Sequence, residues 1–111
     1  MQDALSLKFA ALADPTRRAI LARLAHGETT VADLQQPFAM SQPAISKHLK
    51  LLEQAGLIET VKRAQARPRR LRPEGLNDTV GWVQQVRRDW NDSFDRLEIL
   101  LAHLQSIAKE G

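Results

Sequence analysis

Short polar and basic side chains follow one another in the segment SQPAISKHLK. Side chains as short as those of Ser41 and Ser46 let a helix approach the edges of DNA bases closely, and Gln42 can offer a donor and an acceptor together. Lys47 and Lys50 carry charges that would meet phosphates, which position a protein on DNA without reading its sequence. The segment therefore predicts a surface that binds nucleic acid.

The distribution of charge agrees with a polyanionic partner. Residues 41–73 contain eight basic and two acidic residues, whereas residues 1–40 contain four of each and residues 74–111 contain four basic and seven acidic residues. Nucleic acid is favoured over a membrane surface, because no basic amphipathic helix with Trp or Phe accompanies the patch. Charge alone leaves a solvated loop as the alternative.

The sequence lacks the features of enzymes and of membrane proteins. Among its 111 residues there is no cysteine, and the five glycines are scattered. Thiolate metal sites and cysteine nucleophiles are therefore excluded, and neither a phosphate loop nor a pair of catalytic carboxylates is visible. We expect no enzymatic activity, no cofactor and no metal. The absence of an apolar run of eighteen residues and the early acidic residue Asp3 argue against a membrane span and a secretory signal, so we expect a cytoplasmic protein.

Capping signals divide the first half of the chain into short helices. A first helix precedes residue 14, and residues 38–40 form a turn before the fourth helix, which covers about residues 42–55 and stops at Gly56. The N-terminal caps of the second, third and fourth helices are Asp14, Thr30 and Ser41.

The fourth helix has two different faces. Ile45, Leu49 and Leu52 recur at helical spacing and must point to the core. His48 lies on the flank, where it can contact DNA, or can bond to the backbone or pack under the following hairpin. The opposite face carries Gln42, Ser46, Lys47 and Lys50.

A β-hairpin is predicted over about residues 57–73. Residues 57–63 are β-branched and partly alternating, and residues 69–72 can pair back with them across residues 64–68. The turn contains no Asn-Gly or Asp-Gly pair, so the pattern does not fix its register. Basic side chains at the tip of this wing can enter a minor groove or contact the DNA backbone. These are Arg63, Arg67, Arg69 and Arg70.

One long helix is predicted over about residues 78–108. Its apolar residues are spaced alternately by three and four, as in a coiled-coil seam. In a monomer they would form an exposed apolar patch, so we expect a twofold homodimer built from the last and first helices. Trp90 is expected to pack in this seam, with a ligand pocket formed together with Trp82 as the alternative. The expected dimerisation residues are Leu5, Phe9, Leu12, Val86, Trp90, Leu97, Leu100, Leu101 and Leu104.

Two further groups of charged side chains have two interpretations each. Arg17 and Arg18 at the start of the second helix contact the DNA backbone or are solvated charges. The last helix contains an acidic run that resembles a metal cluster, but neighbours three apart usually pair with arginine, here Arg88 or Arg96. The run consists of Asp92, Asp95 and Glu98.

The segment SQPAISKHLKLLEQAGLI resembles the ArsR/SmtB family of winged-helix bacterial transcriptional repressors. LADPTRRAILARLAHGE is similar to the second-helix segment of that family, and the resemblance covers roughly residues 5–75. It implies a homodimer that binds an imperfectly palindromic operator in double-stranded DNA and usually represses its own operon. It also places Gln42, Ser46, Lys47 and Lys50 where such proteins read DNA.

The chain departs from the metal-sensing members of that family. Those members carry a cysteine pair in the third helix, and the matching residues here are Thr30 and Ala32. Other members have metal ligands in the last helix, whose single histidine here is His103. The other two histidines, His26 and His48, belong to a helix end and to the DNA-binding helix. The resemblance is therefore to a branch without a metal site, and the sequence does not identify a small-molecule inducer.

These observations predict a mainly α fold with a small β-hairpin, a winged helix-turn-helix with a long C-terminal dimerisation helix. Residues 1–111 are expected to form a single domain, with the helix-turn-helix at about 30–55, the wing at about 57–73 and the last helix at about 78–108. The predicted function is sequence-specific DNA binding by a homodimeric repressor that does not sense metals. A winged helix used only for protein interaction is the alternative, although a docking surface would more often show exposed aromatic residues than Lys and Arg.

Overall fold

The computed structural model describes residues 3–62 and 65–110. The helices are α1 Ala4–Leu12, α2 Pro15–Leu24, α3 Val31–Gln35, α4 Gln42–Gln54 and α5 Asn77–Glu110, and the strands are β1 Ile58–Thr60 and β2 Arg69–Leu71. A 3₁₀ turn, Pro73–Leu76, precedes α5. The prediction of a mainly α fold with one hairpin and a long last helix is confirmed.

The chain divides into two compact units, Met1–Thr79 and Val80–Gly111. That residues 1–111 form a single domain stays a prediction.

Side-chain caps begin each of the first four helices. The backbone N–H three residues further on donates to Asp14 Oδ2 at 3.0 Å, to Thr30 Oγ1 at 3.2 Å and to Ser41 Oγ at 3.3 Å, which confirms the three predicted caps. Asp3 caps α1 in the same way, with 2.7 Å from Ser6 N to its Oδ1. Gly56 follows α4 with a φ of +77°, a backbone conformation that glycine adopts without strain.

The first unit contains a core of aliphatic side chains. Ile45, Leu49 and Leu52 of α4 are at most 2% exposed, as their spacing predicts. Leu12 packs partly against this core, so it is not a purely external residue of α1. The other fully buried large side chains are Ile20, Leu34, Leu57 and Ile58.

The hairpin is antiparallel, with Ile58 opposite Leu71 and Thr60 opposite Arg69. The strand expected over residues 57–63 is limited to Ile58–Thr60. After Thr60 the N–H of Val61 donates to Pro68 O at 2.8 Å, but proline has no N–H to return, so the ladder ends. Arg63, expected at the wing tip, lies outside the described residues.

A third segment joins the hairpin at the base of its loop. Thr29, in the loop before α3, exchanges two backbone hydrogen bonds with Arg69, at 3.0 Å and 2.9 Å. Thr29 is only 5% exposed. The return strand of the wing is therefore anchored to the start of α3 as well as to β1.

Two glycines let the 3₁₀ turn approach the loop after α4. A Cβ atom built on Gly75 would collide with the backbone carbonyl oxygen of Gly56. Gly81, near the start of α5, has open space around the same position. Packing therefore requires a glycine at position 75 but not at position 81.

The second unit contains most of α5. Residues 80–109 are all exposed in the single chain, and their large apolar side chains retain between 43% and 70% of their accessible surface. Among the residues that the structure describes, no helix is long and apolar enough to cross a membrane.

Candidate nucleic-acid interface

The turn between α3 and α4 is held by hydrogen bonds from both of its ends. Gln35 Nε2 donates to Met40 O at 3.1 Å, and Phe38 N donates to Gln35 O at 2.9 Å. Ser41 then caps α4 immediately after the turn. The two helices are thus fixed as a helix-turn-helix, and α4 is its second helix.

The outer face of α4 is free to contact a partner. Its side chains are exposed, while Ile45 and Leu49 on the other face are buried. Within residues 3–62 and 65–110, the outer side chains take part in no hydrogen bond or ion pair of the chain itself. The structure places four predicted site residues together on this face: Gln42, Ser46, Lys47 and Lys50.

His48 lies beside that face but points elsewhere. Its Nδ1 is 3.3 Å from Arg17 Nη1 and 3.9 Å from Asp14 Oδ2, and 19% of its side chain is exposed. The imidazole therefore packs at the start of α2. The expectation that it packs under the wing is wrong, because Asp14 and Arg17 provide polar partners on the other side of α4.

Arg17 and Arg18 bind the end of α1. Arg17 Nε donates to Ala11 O at 2.7 Å, and Arg18 Nη1 donates to Leu12 O at 2.8 Å. For Arg17 the expectation of a solvated charge is wrong, since its half-buried guanidinium group satisfies carbonyls at a helix C-terminus, where cations are favourable. Arg18 stays exposed while it donates to the same helix end. The sequence signal was the position of the two arginines only a few residues after the end of a helix.

Asp14, at the start of α2, lies close to both Arg17 and His48. The backbone N–H of Arg17 donates to its carboxylate and lowers the pKa of Asp14, and the charge of Arg17 lowers it further. A carboxylate that caps a helix and faces a guanidinium group stays ionised more readily than one in an unfolded chain.

The predicted wing residues have different surroundings. Arg67 is exposed and has a φ of +47°. Arg69 is half-buried at the base of the wing, where its guanidinium donates to Arg67 O; in the described part of the chain its Nε is buried without a partner. Arg70 is exposed and bonds through Nε to Glu59 Oε1 at 2.5 Å. Arg67 and Arg70 are therefore accessible, whereas Arg69 is largely committed to the hairpin.

The acidic run on α5 does not pair as expected. Arg88 donates to Gln85 at 2.8 Å and Arg96 to Ser93 at 3.4 Å, so the expectation that these arginines pair with the run is wrong. Amide and hydroxyl oxygens one turn earlier on the helix are the nearer acceptors. No group of three potential metal ligands occurs in the described residues.

An apolar stripe runs along α5. Trp90 and Phe94 meet edge to face with centroids 5.2 Å apart, and together with Leu97 they line a shallow groove of about 140 Å³. Trp90 is 64% exposed in the single chain, so its contact with Phe94 leaves most of the indole ring uncovered. The predicted residues Leu5 and Phe9 of α1 are half-buried. The other predicted dimerisation residues on α5 are 43% to 51% exposed: Val86, Leu97, Leu100, Leu101 and Leu104.

Comparison with known proteins agrees with this architecture. A helix-turn-helix domain family matches residues 12–61. The transcriptional repressor SdpR of Bacillus subtilis (strain 168) is 39% identical over 75 residues, which are 68% of this chain and 83% of that protein.

Several solved structures are also similar to the structure of this chain. The ArsR family transcriptional regulator RHA00566 has 40% identity and a TM-score of 0.72, over 80% of this chain and 98% of its own. The homodimeric winged helix-turn-helix DNA-binding domain Mb0332 from Mycobacterium bovis has 28% identity and a TM-score of 0.62, over 78% and 81%. From its fold and from these likenesses, the chain belongs to the ArsR/SmtB family of winged helix-turn-helix transcriptional regulators.

Proposed function

We propose that this regulator is a homodimeric repressor that binds an imperfectly palindromic operator in front of its own operon. The observation that carries the proposal is the division of α4: one face is buried in the core, and the other exposes polar and cationic side chains that no group in the described residues occupies. A helix held this firmly can enter a major groove without reorganising.

The outer side chains of α4 have different roles in DNA recognition. Gln42, in the first turn, presents a carboxamide that can bond to two positions of one base edge. Ser46 leaves room for the backbone to approach the groove. Lys47 and Lys50 neutralise phosphates and fix the register of the helix on the duplex.

The wing adds contacts beside the major groove. Arg67 and Arg70 are accessible. The exposed ion pair between Arg70 and Glu59 contributes little free energy, so Arg70 can exchange Glu59 for a phosphate or a minor-groove contact. The sequence also predicts DNA contacts for Ser41, His48 and Arg69. Ser41 caps α4, and Arg69 supports the base of the wing, so we place both at the margin of the interface.

Dimerisation sets the spacing of the two recognition helices. The apolar stripe of α5, with Leu5 and Phe9 of α1 as additional surface, is proposed as the contact between two copies. A twofold dimer presents two α4 helices to successive major grooves, about 34 Å apart, which explains why the operator must be palindromic. The homodimeric relative Mb0332 supports this arrangement.

We further propose that release from DNA does not depend on metal binding. Thr30 and Ala32 stand where metal-sensing members of the family have thiolates, and the chain contains no cysteine. Titration calorimetry with zinc, cadmium or arsenite is expected to give no tight binding. One ion bound per subunit at submicromolar affinity would contradict this part of the proposal.

The decisive experiment measures binding to duplex DNA from upstream of the protein's own gene, by electrophoretic shift and by fluorescence anisotropy between about 50 and 200 mM salt. Lys47→Ala is expected to weaken binding and to reduce the slope of log affinity against log salt by about one for each phosphate that is no longer neutralised. Arg23→Ala, which removes the same charge from the last turn of α2, is the matched control and is expected to leave the slope unchanged.

The same experiment separates DNA binding from the alternative function. If the wild-type chain does not shift its upstream DNA, or if its affinity is constant over this salt range, the protein is a winged-helix interaction module and the proposed function is wrong. Equal effects of Lys47→Ala and Arg23→Ala would show that only the net charge matters and would remove α4 from the interface.

A further inference from the structure

The imidazole of His48 connects α4 to the corner between α1 and α2. Its Nδ1 lies 3.3 Å from Arg17 Nη1 and 3.9 Å from Asp14 Oδ2, the two charged groups in contact with it within the described ranges. A guanidinium nitrogen can only donate, so Nδ1 accepts this hydrogen bond and the proton of the neutral ring lies on Nε2. The tautomer of His48 is therefore fixed by Arg17.

Arg17 holds this hydrogen bond in a defined direction. Its Nε donates to Ala11 O at 2.7 Å and its Nη2 donates to Ala10 O at 2.9 Å. The guanidinium group is planar, so these two bonds to the end of α1 orient the third nitrogen, which meets His48. One side chain thus ties α4 to the end of α1, and its bond to His48 spans 31 positions of sequence.

We infer that His48 is a positioning residue of the recognition helix, which acts through Arg17 and does not contact DNA. The hydrogen bond fixes the orientation in which α4 presents its outer face, so its loss is expected to weaken operator binding although every contact with DNA remains available. The inference rests on the proposed function, because it assigns a role in DNA binding by α4. Lys47 next to it contrasts with His48, since the lysine is exposed and the imidazole is mostly covered.

Two amide substitutions separate positioning from direct contact. Asparagine places its carboxamide oxygen near the position of Nδ1, whereas glutamine reaches the position of Nε2. With a positioning role, His48→Asn keeps operator affinity within about twofold of wild type, while His48→Gln and His48→Leu lose about five- to tenfold, the value of one hydrogen bond. Affinity for an unrelated duplex and the salt slope stay unchanged in all three variants, because the same phosphates are neutralised. Rescue by glutamine and not by asparagine would assign His48 to a DNA contact and overturn the inference.

A double-mutant cycle without DNA tests the connection itself. The losses in free energy of unfolding caused by Arg17→Ala and His48→Leu are expected to be non-additive, because each removes the same hydrogen bond. Arg18→Ala, which removes the neighbouring bond to Leu12 O, is the control and is expected to add to His48→Leu. Additive losses for Arg17 and His48, with operator binding by the wild type intact, would overturn the inference alone. A wild-type chain that binds no operator would overturn the proposed function, and the positioning role with it.

Discussion

Helices α4 and α5 both carry apolar side chains at helical spacing, but only α4 buries them within the chain. Ile45, Leu49 and Leu52 are at most 2% exposed. No residue of α5 from 80 to 109 is buried in the single chain, although α5 is the longer helix and contains most of the exposed large apolar side chains. The same sequence pattern thus leads to two different environments.

This difference shows what amphipathic spacing can and cannot specify. It indicates that a helix has a packing partner, but it does not say whether that partner belongs to the same chain. For α4 the partner is the core, to which α1, α2, α3 and β1 contribute side chains. For α5 we propose a second copy, because a contiguous apolar stripe of this length is rarely left in water.

The strongest test of the comparison is to place a charge in the stripe of α5. Leu97→Asp would bury a carboxylate against the partner, so we expect a monomer by light scattering at micromolar concentration. Operator affinity is expected to fall by about a hundredfold or more, because the two recognition helices no longer bind as one unit.

Ile99→Asp is the matched control for that substitution. Ile99 is 70% exposed and lies away from the stripe, so the variant is expected to remain dimeric and to bind DNA. A monomeric wild-type protein, or a Leu97→Asp protein that is still dimeric and binds its operator, would end the assignment of α5 as the dimer interface.

Glycine-to-alanine substitutions sharpen the comparison between the two units. Gly75→Ala is expected to lower the free energy of unfolding by about 1–3 kcal/mol, because the new Cβ meets the carbonyl oxygen of Gly56. Gly81→Ala is expected to raise it by about 0.5–1 kcal/mol, since an exposed helical glycine with open space gains helix propensity. Urea denaturation measures both, and a change of the same sign in the two variants would contradict the packing argument.

The smallest expected effect is a pH dependence at the cap of α2. The pKa of Asp14 lies below its ordinary value of 3.8, so the ionised carboxylate stabilises the fold. This stabilisation is complete above the pKa of an unfolded aspartate and is lost as the pH falls toward the lowered value. Asp14→Asn is therefore expected to be less stable than wild type at neutral pH, with a difference that shrinks in acid. A difference that is constant from neutral pH to pH ~3 would exclude the charge of Asp14 as its cause.

Features determined by near neighbours in sequence could be predicted, because the side chain and its partner lie in the same short segment. Asp14, Thr30 and Ser41 each cap a helix through the backbone N–H three residues later. The outer face of α4 follows from helical periodicity in the same way. The long last helix and its apolar stripe were likewise predictable from spacing alone.

Features that depend on contacts distant in sequence could not be predicted. The bond between Arg17 and His48 and the backbone exchange between Thr29 and Arg69 join segments that share no local pattern. A lone threonine in a loop gives no alternation by which a strand could be recognised. The different roles of Arg69 and Arg70 also required the structure. Adjacent residues of a strand point to opposite faces, but the sequence did not fix which of the two arginines faces inward.

The backbone exchange between Thr29 and Arg69 also determines where the chain can be opened for engineering. The two ends of the wing loop are joined by the hydrogen bond from Val61 N to Pro68 O, and Arg69, next to Pro68, is bonded to Thr29. An affinity tag or a fluorescent reporter inserted between residues 61 and 68 would therefore extend from a closed base and leave the helix-turn-helix assembled. An insertion between residues 28 and 30 would instead separate the strand of the wing from the start of α3. A reporter inserted in the wing loop is thus the natural starting point for a sensor that responds to DNA beside the recognition helix.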